Sequence, residues 1–295
     1  MYKDFKDSPF NKLISEVNQA PEIRQGVIRE IEKHLKGQVV TFFTSFSKPD
    51  VMITDGDAEM LESVLSAETK DKKLYLILNS PGGDILAAER IVNLCRSYFP
   101  DGFEVIVPHM AKSAGTIICF GADAIHMSQT SELGPTDPQF LYVDDKGKQQ
   151  ASSAQDYIVS YETLFNEARS GQYPAIQPYM QQLDKYDARL VQEMKVAQLL
   201  SRDVAVRLLQ KSMMKGKKDD EIIKAIEIFL TQEKSLSHGR MITREDVRAT
   251  GLNVLDINIR TKEWDCLWEL YVRSNWVTGN QCGKLIESSK TSVRG

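Results

Sequence analysis

Apolar segments and amphipathic segments alternate between residues 38 and 128. The apolar segments are rich in β-branched and aromatic residues, and the segments between them repeat apolar residues at helical spacing. Strands that alternate with helices in this way predict right-handed crossovers and a mostly parallel sheet, buried on both faces. The fold class predicted is therefore α/β. The predicted strands are 38–46, 74–80, 103–108 and 124–128, and the predicted helices are 55–68, 84–98 and 113–121.

The segments before and after this core are mainly helical in pattern. Residues 8–36 carry helical spacing and end near Gly37, and residues 264–276 form a last amphipathic pattern. The chain is accordingly divided into an N-terminal helical segment (1–36), a core domain (37–258) with a helical insertion at about 155–235, and a C-terminal helical tail (259–295).

After residue 129 the pattern changes to a loop that lasts until about residue 153. The long apolar pattern from Pro178 to about Lys211 is typical of a core helix, and equally of an arm that packs on a neighbouring subunit. Thr243 as a cap and Gly251 as a stop predict a short helix. A strand at 252–257 is predicted to follow it.

Composition limits the possible partners. Of 295 residues, 42% are hydrophobic and 26% charged, which is typical of a packed chain of one or two domains. The net charge of −4 shows no basic surplus for nucleic acid or anionic lipid. No apolar run is long enough for a membrane span, and the N-terminus lacks a secretory pattern. We expect a cytoplasmic protein with reduced, buried cysteines and no metal site.

A glycine pair follows the predicted strand 74–80, in Asn79-Ser80-Pro81-Gly82-Gly83. Glycines allow positive φ and close approach, so the exposed N–H groups of such a turn can hold an anion or a polarised carbonyl oxygen. A plain turn is the alternative, with Asp84 as the cap of the next helix. The phosphate-loop and dinucleotide patterns are absent from this segment.

A serine follows the next strand, in Ala111-Lys112-Ser113-Ala114-Gly115-Thr116. Ser113 precedes an apolar helix, and its small neighbours leave room for a substrate backbone. Its hydroxyl could be a nucleophile, with the Ala114 N–H directed at the reacting oxygen. It could equally be a helix cap.

Together, these segments resemble the serine dehydrogenase proteinase family of the Clp protease/crotonase superfamily, relatives of signal peptide peptidase A. The resemblance extends from about residue 74 to residue 256. It also rests on 132-ELGPTDPQ-139 and 237-SHGRMITREDVRATGLNV-254. It implies a repeated βαβ spiral core with an added helical region. It also implies a peptidase domain at 37–258, with oxyanion donors on Gly83 and Ala114.

The resemblance also implies a triad in the order Ser, Asp, His. His238 lies in a small polar loop and is the predicted general base. His34 is expected on a solvated helix face, and His109 and His126 are expected to have structural roles. Asp137 lies between Pro135 and Pro138 and is predicted to orient His238, although a plain proline turn also explains it.

A Ser-Lys dyad is the competing mechanism, because relatives of signal peptide peptidase A use one. Lys146 and Lys148 fall in a charged loop, and no lysine occurs between Lys148 and Lys185. The position that would align with the family's lysine falls near Ser153. Lys112 is expected to point away from Ser113.

The resemblance therefore implies a serine endopeptidase that forms an acyl-enzyme on Ser113. Its substrate would be a protein or peptide, it would need neither metal nor organic cofactor, and it would form a homo-oligomer. Two other classes stay open: a crotonase-like enzyme acting on an acyl-CoA, and an inactive peptide-binding scaffold.

Overall fold

A seven-stranded sheet with neighbour order β10-β5-β3-β2-β1-β11-β12 forms the centre of the molecule. The computed structural model describes residues 8–15, 20–49, 51–68, 72–143, 147–170, 176–231, 237 and 239–295. Neighbouring strands are parallel from β10 to β1, whereas β11 and β12 are antiparallel to their neighbours. Its strands are β1 (Gln38–Thr44), β2 (Leu74–Asn79), β3 (Phe103–Val107), β5 (Ile125–Met127), β10 (Val254–Asp256), β11 (Lys284–Ser288) and β12 (Ser292–Arg294).

The remaining strands among the described residues form two smaller sheets. One joins three short strands in the order β4-β6-β9, and the other is a hairpin, β7-β8. These strands are β4 (Met110–Ala111), β6 (Glu132–Leu133), β7 (Gln139–Val143), β8 (Gln149–Ser153) and β9 (Ile242–Thr243).

Helices cover both faces of the central sheet, because side chains alternate between the faces along each strand. In β1, Val40 and Phe42 pack toward one set of helices, while Val39 and Phe43 pack toward the other. The first set includes α3 (Asp55–Ser66), α4 (Ile85–Tyr98), α5 (Ala114–Phe120), α8 (Ala188–Lys211), α9 (Asp219–Ala225), α10 (Glu227–Leu230) and α11 (Arg244–Ala249). The second includes α1 (Pro9–Ser15), α2 (Pro21–Leu35) and α12 (Lys262–Asn280). Two further helices, α6 (Ala154–Ser170) and α7 (Gln177–Leu183), pack on each other, and α6 also contacts α8.

The predicted α/β class is confirmed: the structure is a mixed α/β fold with a parallel-rich central sheet. Each strand and helix predicted between residues 38 and 128 is present, within a few residues of its predicted ends. The predicted caps are also present, since Asp84 accepts the Ala87 N–H at 2.8 Å and Thr243 accepts the Asp246 N–H at 3.2 Å. Gly251 ends its helix with φ of 82°.

Three sequence expectations differ from the structure. The segment 129–153, expected to be a loop, contains β6 and the hairpin β7-β8. The apolar pattern after Pro178 forms two helices, because Asp187 caps a new one by accepting the Arg189 N–H at 2.8 Å. Residues 259–295 begin with a helix, as expected, but end in β11 and β12. The domain boundaries themselves stay a prediction.

Two cysteines and the apolar residues in the second half of α8 are buried, as expected from the sequence. Cys95 and Cys119 are fully buried, and burial raises the pKa of Cys95 to about 12. Val204, Leu208 and Leu209 are buried on the second half of α8, so that half is a core helix. Among the described residues, no helix is long and apolar enough to cross a membrane.

The carboxyl ends of β2 and β3 lie at the same edge of the sheet, because the strands are parallel. The chain segments that follow them therefore meet. Ser80 pairs with Ala111: the Ser80 N–H donates to the Met110 carbonyl at 3.0 Å, and the Lys112 N–H donates to the Ser80 carbonyl at 2.9 Å. This pairing brings the glycine turn beside Ser113.

Candidate active site

Ser113 lies between β4 and α5 in a backbone conformation that is rare for a residue with a side chain. Its φ is 49° and its ψ is −117°. Of the described non-glycine residues, only Lys36 shares a positive φ, and Lys36 ends a helix in the ordinary left-handed conformation. Such strain persists only where the surrounding structure enforces it, and it concentrates at functional sites. The half-buried Ser113 is therefore held in place by its neighbours.

The glycine turn packs directly on Ser113. Gly82 has φ of 109°, and a Cβ atom built on it would lie 2.6 Å from the Cβ of Ser113. Gly83 has φ of 150°, and a Cβ there would lie 2.2 Å from the Ile53 backbone N. Both positions therefore require glycine for space as well as for conformation.

Two backbone donors beside Ser113 are available for a ligand. Around Gly83, the Ile53 N–H donates to the Gly82 carbonyl at 2.8 Å and the Asp84 N–H donates to the Ile53 carbonyl at 2.8 Å. These bonds leave out the N–H of Gly83. Among the described residues, no acceptor pairs with the N–H of Gly83 or of Ala114. Unpaired N–H groups that can face a developing oxyanion are the parts of an oxyanion hole.

Ser113, Gly83 and Ala114 line one cavity of about 490 Å³, named here the serine cavity. Its volume falls in the range of roughly 300–1,000 Å³ that is usual for ligand sites. Residues of α8 form one of its walls, and most of the other lining side chains are apolar. The remaining lining residues are Met52, Pro81, Ile85, Ile117, Thr136, Pro138, Gln139, Ala197, Leu200 and Ser201.

Asp137 lies beside this cavity. Its side chain is only 1% exposed, and its Oδ2 accepts a hydrogen bond from the Gln139 side-chain amide at 2.9 Å. The preceding Thr136 is fixed to α10 and α8, because its N–H donates to the Phe229 carbonyl at 2.7 Å and its carbonyl accepts from the Ser201 hydroxyl at 2.8 Å. Thr136 and the two residues after Asp137 line the serine cavity.

His238 lies outside the described residues, but the chain that follows it lies next to the serine segment. The Arg240 carbonyl is 3.4 Å from the Lys112 ammonium, which donates to it. Two residues later, β9 pairs with β6 in the same small sheet as β4, the strand that leads to Ser113.

The other three histidines lie in the kinds of surroundings that the sequence predicted, one exposed and two packed. His34 is exposed on α2, and the His126 Nε2 is 2.7 Å from the Glu104 Oε2. His109 stacks on Tyr271 of α12, with ring centroids 5.1 Å apart. Burial lowers the pKa of His109, which favours its neutral form.

The lysines near Ser113 in sequence are also accounted for. The Lys112 ammonium pairs with Glu132 at 2.5 Å and donates to the Leu133 carbonyl at 3.2 Å, so β6 holds it. Lys148 is exposed where β8 begins, and Lys146 lies outside the described residues. Ser153 is buried, and its hydroxyl accepts the Gln155 N–H at 3.1 Å.

Two side chains at the site were not predicted from the sequence. The Asn79 Oδ1 accepts the Met110 N–H at 3.3 Å, which adds a third link between the two loops. The Ser80 hydroxyl contacts that of Thr44 at 2.8 Å and accepts the Gly82 N–H at 3.1 Å. Asn79 and Ser80 could have been proposed as site residues because they lie at the end of a strand, directly before the glycine turn.

Comparison with known proteins identifies the relatives of this arrangement. Residues 13–147 match the model of the ClpP-like SDH-type serine proteinase family. That part of the chain, somewhat less than half of its 295 residues, is similar to this family. It includes Ser113, Gly83, Ala114 and Asp137, and it ends before His238.

Two relatives are uncharacterized proteins of the archaeon Methanocaldococcus jannaschii. One is 32% identical over 229 residues, which is 74% of this chain and 65% of the relative. The other is 33% identical over 119 residues, which is 38% of this chain and 40% of the relative. The chain thus spans about two thirds or less of the length of these relatives.

Proposed function

We propose that the protein is a serine endopeptidase whose nucleophile is Ser113. The observation that carries the proposal is the serine cavity, where the strained Ser113 meets two unpaired backbone N–H groups. A hydroxyl without a base is a poor nucleophile, so the reaction also needs a proton acceptor. The match of residues 13–147 to a serine proteinase family supports the same reaction class.

In this mechanism the Ser113 Oγ attacks the carbonyl carbon of a peptide bond. The electron pair of the C=O bond moves onto oxygen, and the N–H groups of Gly83 and Ala114 stabilise the resulting oxyanion. His238 accepts the hydroxyl proton and delivers it to the leaving amine. The acyl-enzyme is then hydrolysed by a water molecule, whose proton passes to His238 and finally returns to Ser113.

The proposed role of Asp137 is to orient His238 and to stabilise its imidazolium. Two observations support this. Asp137 is buried beside the serine cavity, where a carboxylate would strongly favour a neighbouring cation. The chain after His238 contacts Lys112, the neighbour of Ser113.

The spiral core and the homo-oligomer, both implied by the family resemblance, are also proposals. The parallel sheet is consistent with a repeated βαβ spiral core of the Clp protease/crotonase type. The resemblance to signal peptide peptidase A and the Clp proteases suggests a homo-oligomer.

The test is hydrolysis of an unfolded protein substrate by the wild type and by three variants. Ser113→Ala is expected to lose nearly all activity, and His238→Ala is expected to lose about a thousandfold or more, as is usual for triad members. Lys148→Ala is the matched control for the dyad alternative and is expected to keep its activity. Near-normal turnover by His238→Ala would exclude the triad as proposed, and loss of turnover in Lys148→Ala alone would favour the dyad.

A further inference from the structure

A second cavity, of about 710 Å³, adjoins the serine cavity. We call it the distal cavity. Pro138 and Ser201 belong to the walls of both cavities, so the two cavities share part of one wall. The hydrogen bond from the Ser201 hydroxyl to the Thr136 carbonyl, at 2.8 Å, holds α8 against this shared wall.

The two cavities differ in the chemistry of their walls. The serine cavity is lined mainly by apolar side chains of Met52, Ile85, Ile117 and Leu200. The distal cavity combines apolar side chains with charged ones of both signs. The charged residues are Lys195, Arg202, Asp220, Lys224 and Glu227.

The serine cavity is too small for a long peptide. An extended chain covers about 3.3–3.6 Å per residue, and a cavity of this volume is filled by a ligand of drug size. A longer substrate must therefore continue beyond the cavity. The distal cavity is a neighbouring concave space, and its charged walls suit polar residues.

We propose that the distal cavity binds the part of a polypeptide substrate that lies several residues away from the scissile bond. The substrate class is then an extended polypeptide, with an apolar side chain in the serine cavity and a polar segment in the distal cavity. This inference rests on the proposed function of Ser113. We therefore predict that a long peptide binds more tightly than a short one, and that this difference depends on residues of the distal cavity.

Two exposed residues on α8 provide a matched pair of variants. Leu199 lines the distal cavity only and is 63% exposed. Val196 lies one turn earlier, lines neither cavity and is 53% exposed. Leu199→Trp narrows the distal cavity, whereas Val196→Trp adds the same side chain outside it. Neither site is buried, so both variants are expected to fold.

The experiment measures peptide binding by fluorescence anisotropy in the Ser113→Ala background, where no turnover occurs. The probes are a labelled peptide of about ten residues, which spans roughly 33 Å when extended, and its short fragment around the apolar residue. Leu199→Trp is expected to weaken binding of the long peptide about tenfold, which equals ~1.4 kcal/mol. It should leave the short fragment unchanged, and Val196→Trp should change neither.

Equal weakening of both peptides by Leu199→Trp, or no weakening of the long one, would overturn the proposal. The same result from Val196→Trp as from Leu199→Trp would also overturn it. Because binding is measured without catalysis, failure of the proposed peptidase function would appear separately, as absence of hydrolysis by the wild type.

Discussion

Gly82 and Ser113 are in such close contact that the side chain at either position limits the other. A Cβ on Gly82 would lie 2.6 Å from the Cβ of Ser113 and 2.8 Å from the Lys112 carbonyl oxygen. Such a contact cannot be relieved by a rotamer change, because both atoms lie on or next to the backbone. The glycine therefore fixes the position of the proposed nucleophile.

This contact predicts how one added methyl group at Gly82 changes the activity of the protein. Gly82→Ala is expected to abolish peptide hydrolysis by displacing Ser113. Gly216→Ala is the control, since Gly216 also has a positive φ, 80°, but nothing lies within 4 Å of its added Cβ. Both changes should cost about 1–2 kcal/mol of backbone strain, measured by urea unfolding. The added steric clash should make Gly82→Ala the more destabilising of the two, and only Gly82→Ala should remove activity. Full activity in Gly82→Ala would contradict the assignment.

The side chain of Asn79 also links the glycine turn to the segment that leads to Ser113. Asn79→Ala removes the acceptor of the Met110 N–H, and with it a buried Nδ2 that has no hydrogen-bond partner among the described residues. The lost acceptor is expected to lower the free energy of unfolding by about 1 kcal/mol. Ser274→Ala is the matched control, because the buried Ser274 hydroxyl has no hydrogen-bond partner among the described residues. Its removal should be neutral or stabilising in urea unfolding. A larger loss in Ser274→Ala than in Asn79→Ala would contradict these hydrogen-bond assignments.

At this scale, local sequence was informative about Ser113 and Gly83 because a strand end, small residues and a glycine pair are readable signals. The contact between Gly82 and Ser113 was not, since it joins positions 31 residues apart through the sheet register. The anchoring of Thr136, which precedes Asp137, involves Phe229 and Ser201, which are further away along the chain.

Among the elements, the strands and helices of the core were predictable because their apolar periodicity is strong. The hairpin β7-β8 was not, although Phe140, Tyr142 and Gly147 are typical of a strand and a turn. Pro135 and Pro138 precede that segment, and four charged residues at 144–148 lie within it, which favours a loop. The break between α7 and α8 was missed because apolar spacing continued through it, while Asp187 acted as a new cap.

The strands β2, β3 and β5 are linked by side chains as well as by their backbones. Glu104 on β3 pairs with Lys73 and with the His126 Nε2 at 2.7 Å. The hydrogen bond with His126 is the largest cause that lowers the pKa of Glu104, and Lys73 adds to it, while burial opposes both. The carboxylate therefore stabilises the fold at pH values above its ordinary pKa of about 4.5, and this contribution is lost as the pH falls through the lowered pKa.

Glu104→Gln is thus expected to lower the urea midpoint at neutral pH. The difference from the wild type should shrink below about pH 4.5. The control is Glu30→Gln, whose solvent-exposed pair with Lys33 is expected to contribute little to the free energy of unfolding. A difference between Glu104→Gln and the wild type that stays constant with pH would contradict the role given to the carboxylate.

Across the whole molecule, a buried ion pair joins the two ends of the chain. Arg24 of α2 and Glu287 of β11 are at most 1% exposed, and two hydrogen bonds of 2.7 Å link the guanidinium to the carboxylate. The Ser292 hydroxyl also donates to Glu287 at 2.6 Å. This pair was not predictable from the sequence, since neither residue belongs to a motif and 263 positions separate them.

Substitutions at Arg24 and Glu287 can show how an unpaired buried charge changes the free energy of unfolding. Arg24→Met leaves a buried carboxylate unpaired and is expected to destabilise the protein by about 3–5 kcal/mol, measured by thermal or urea unfolding. The double variant Arg24→Met/Glu287→Leu removes both charges and is expected to recover most of that loss. A double variant as unstable as the single one would show that the lost packing, and not the unpaired charge, sets the cost.

The proposed peptidase reaction depends on one hydroxyl, that of Ser113. The most direct test is to treat the protein with a fluorophosphonate, which reacts with activated serines, and to locate the adduct by peptide mass spectrometry. We predict one adduct on Ser113 in the wild type and none in Ser113→Ala. An adduct on another serine, or labelling that persists in Ser113→Ala, would contradict the assignment of Ser113 as the nucleophile.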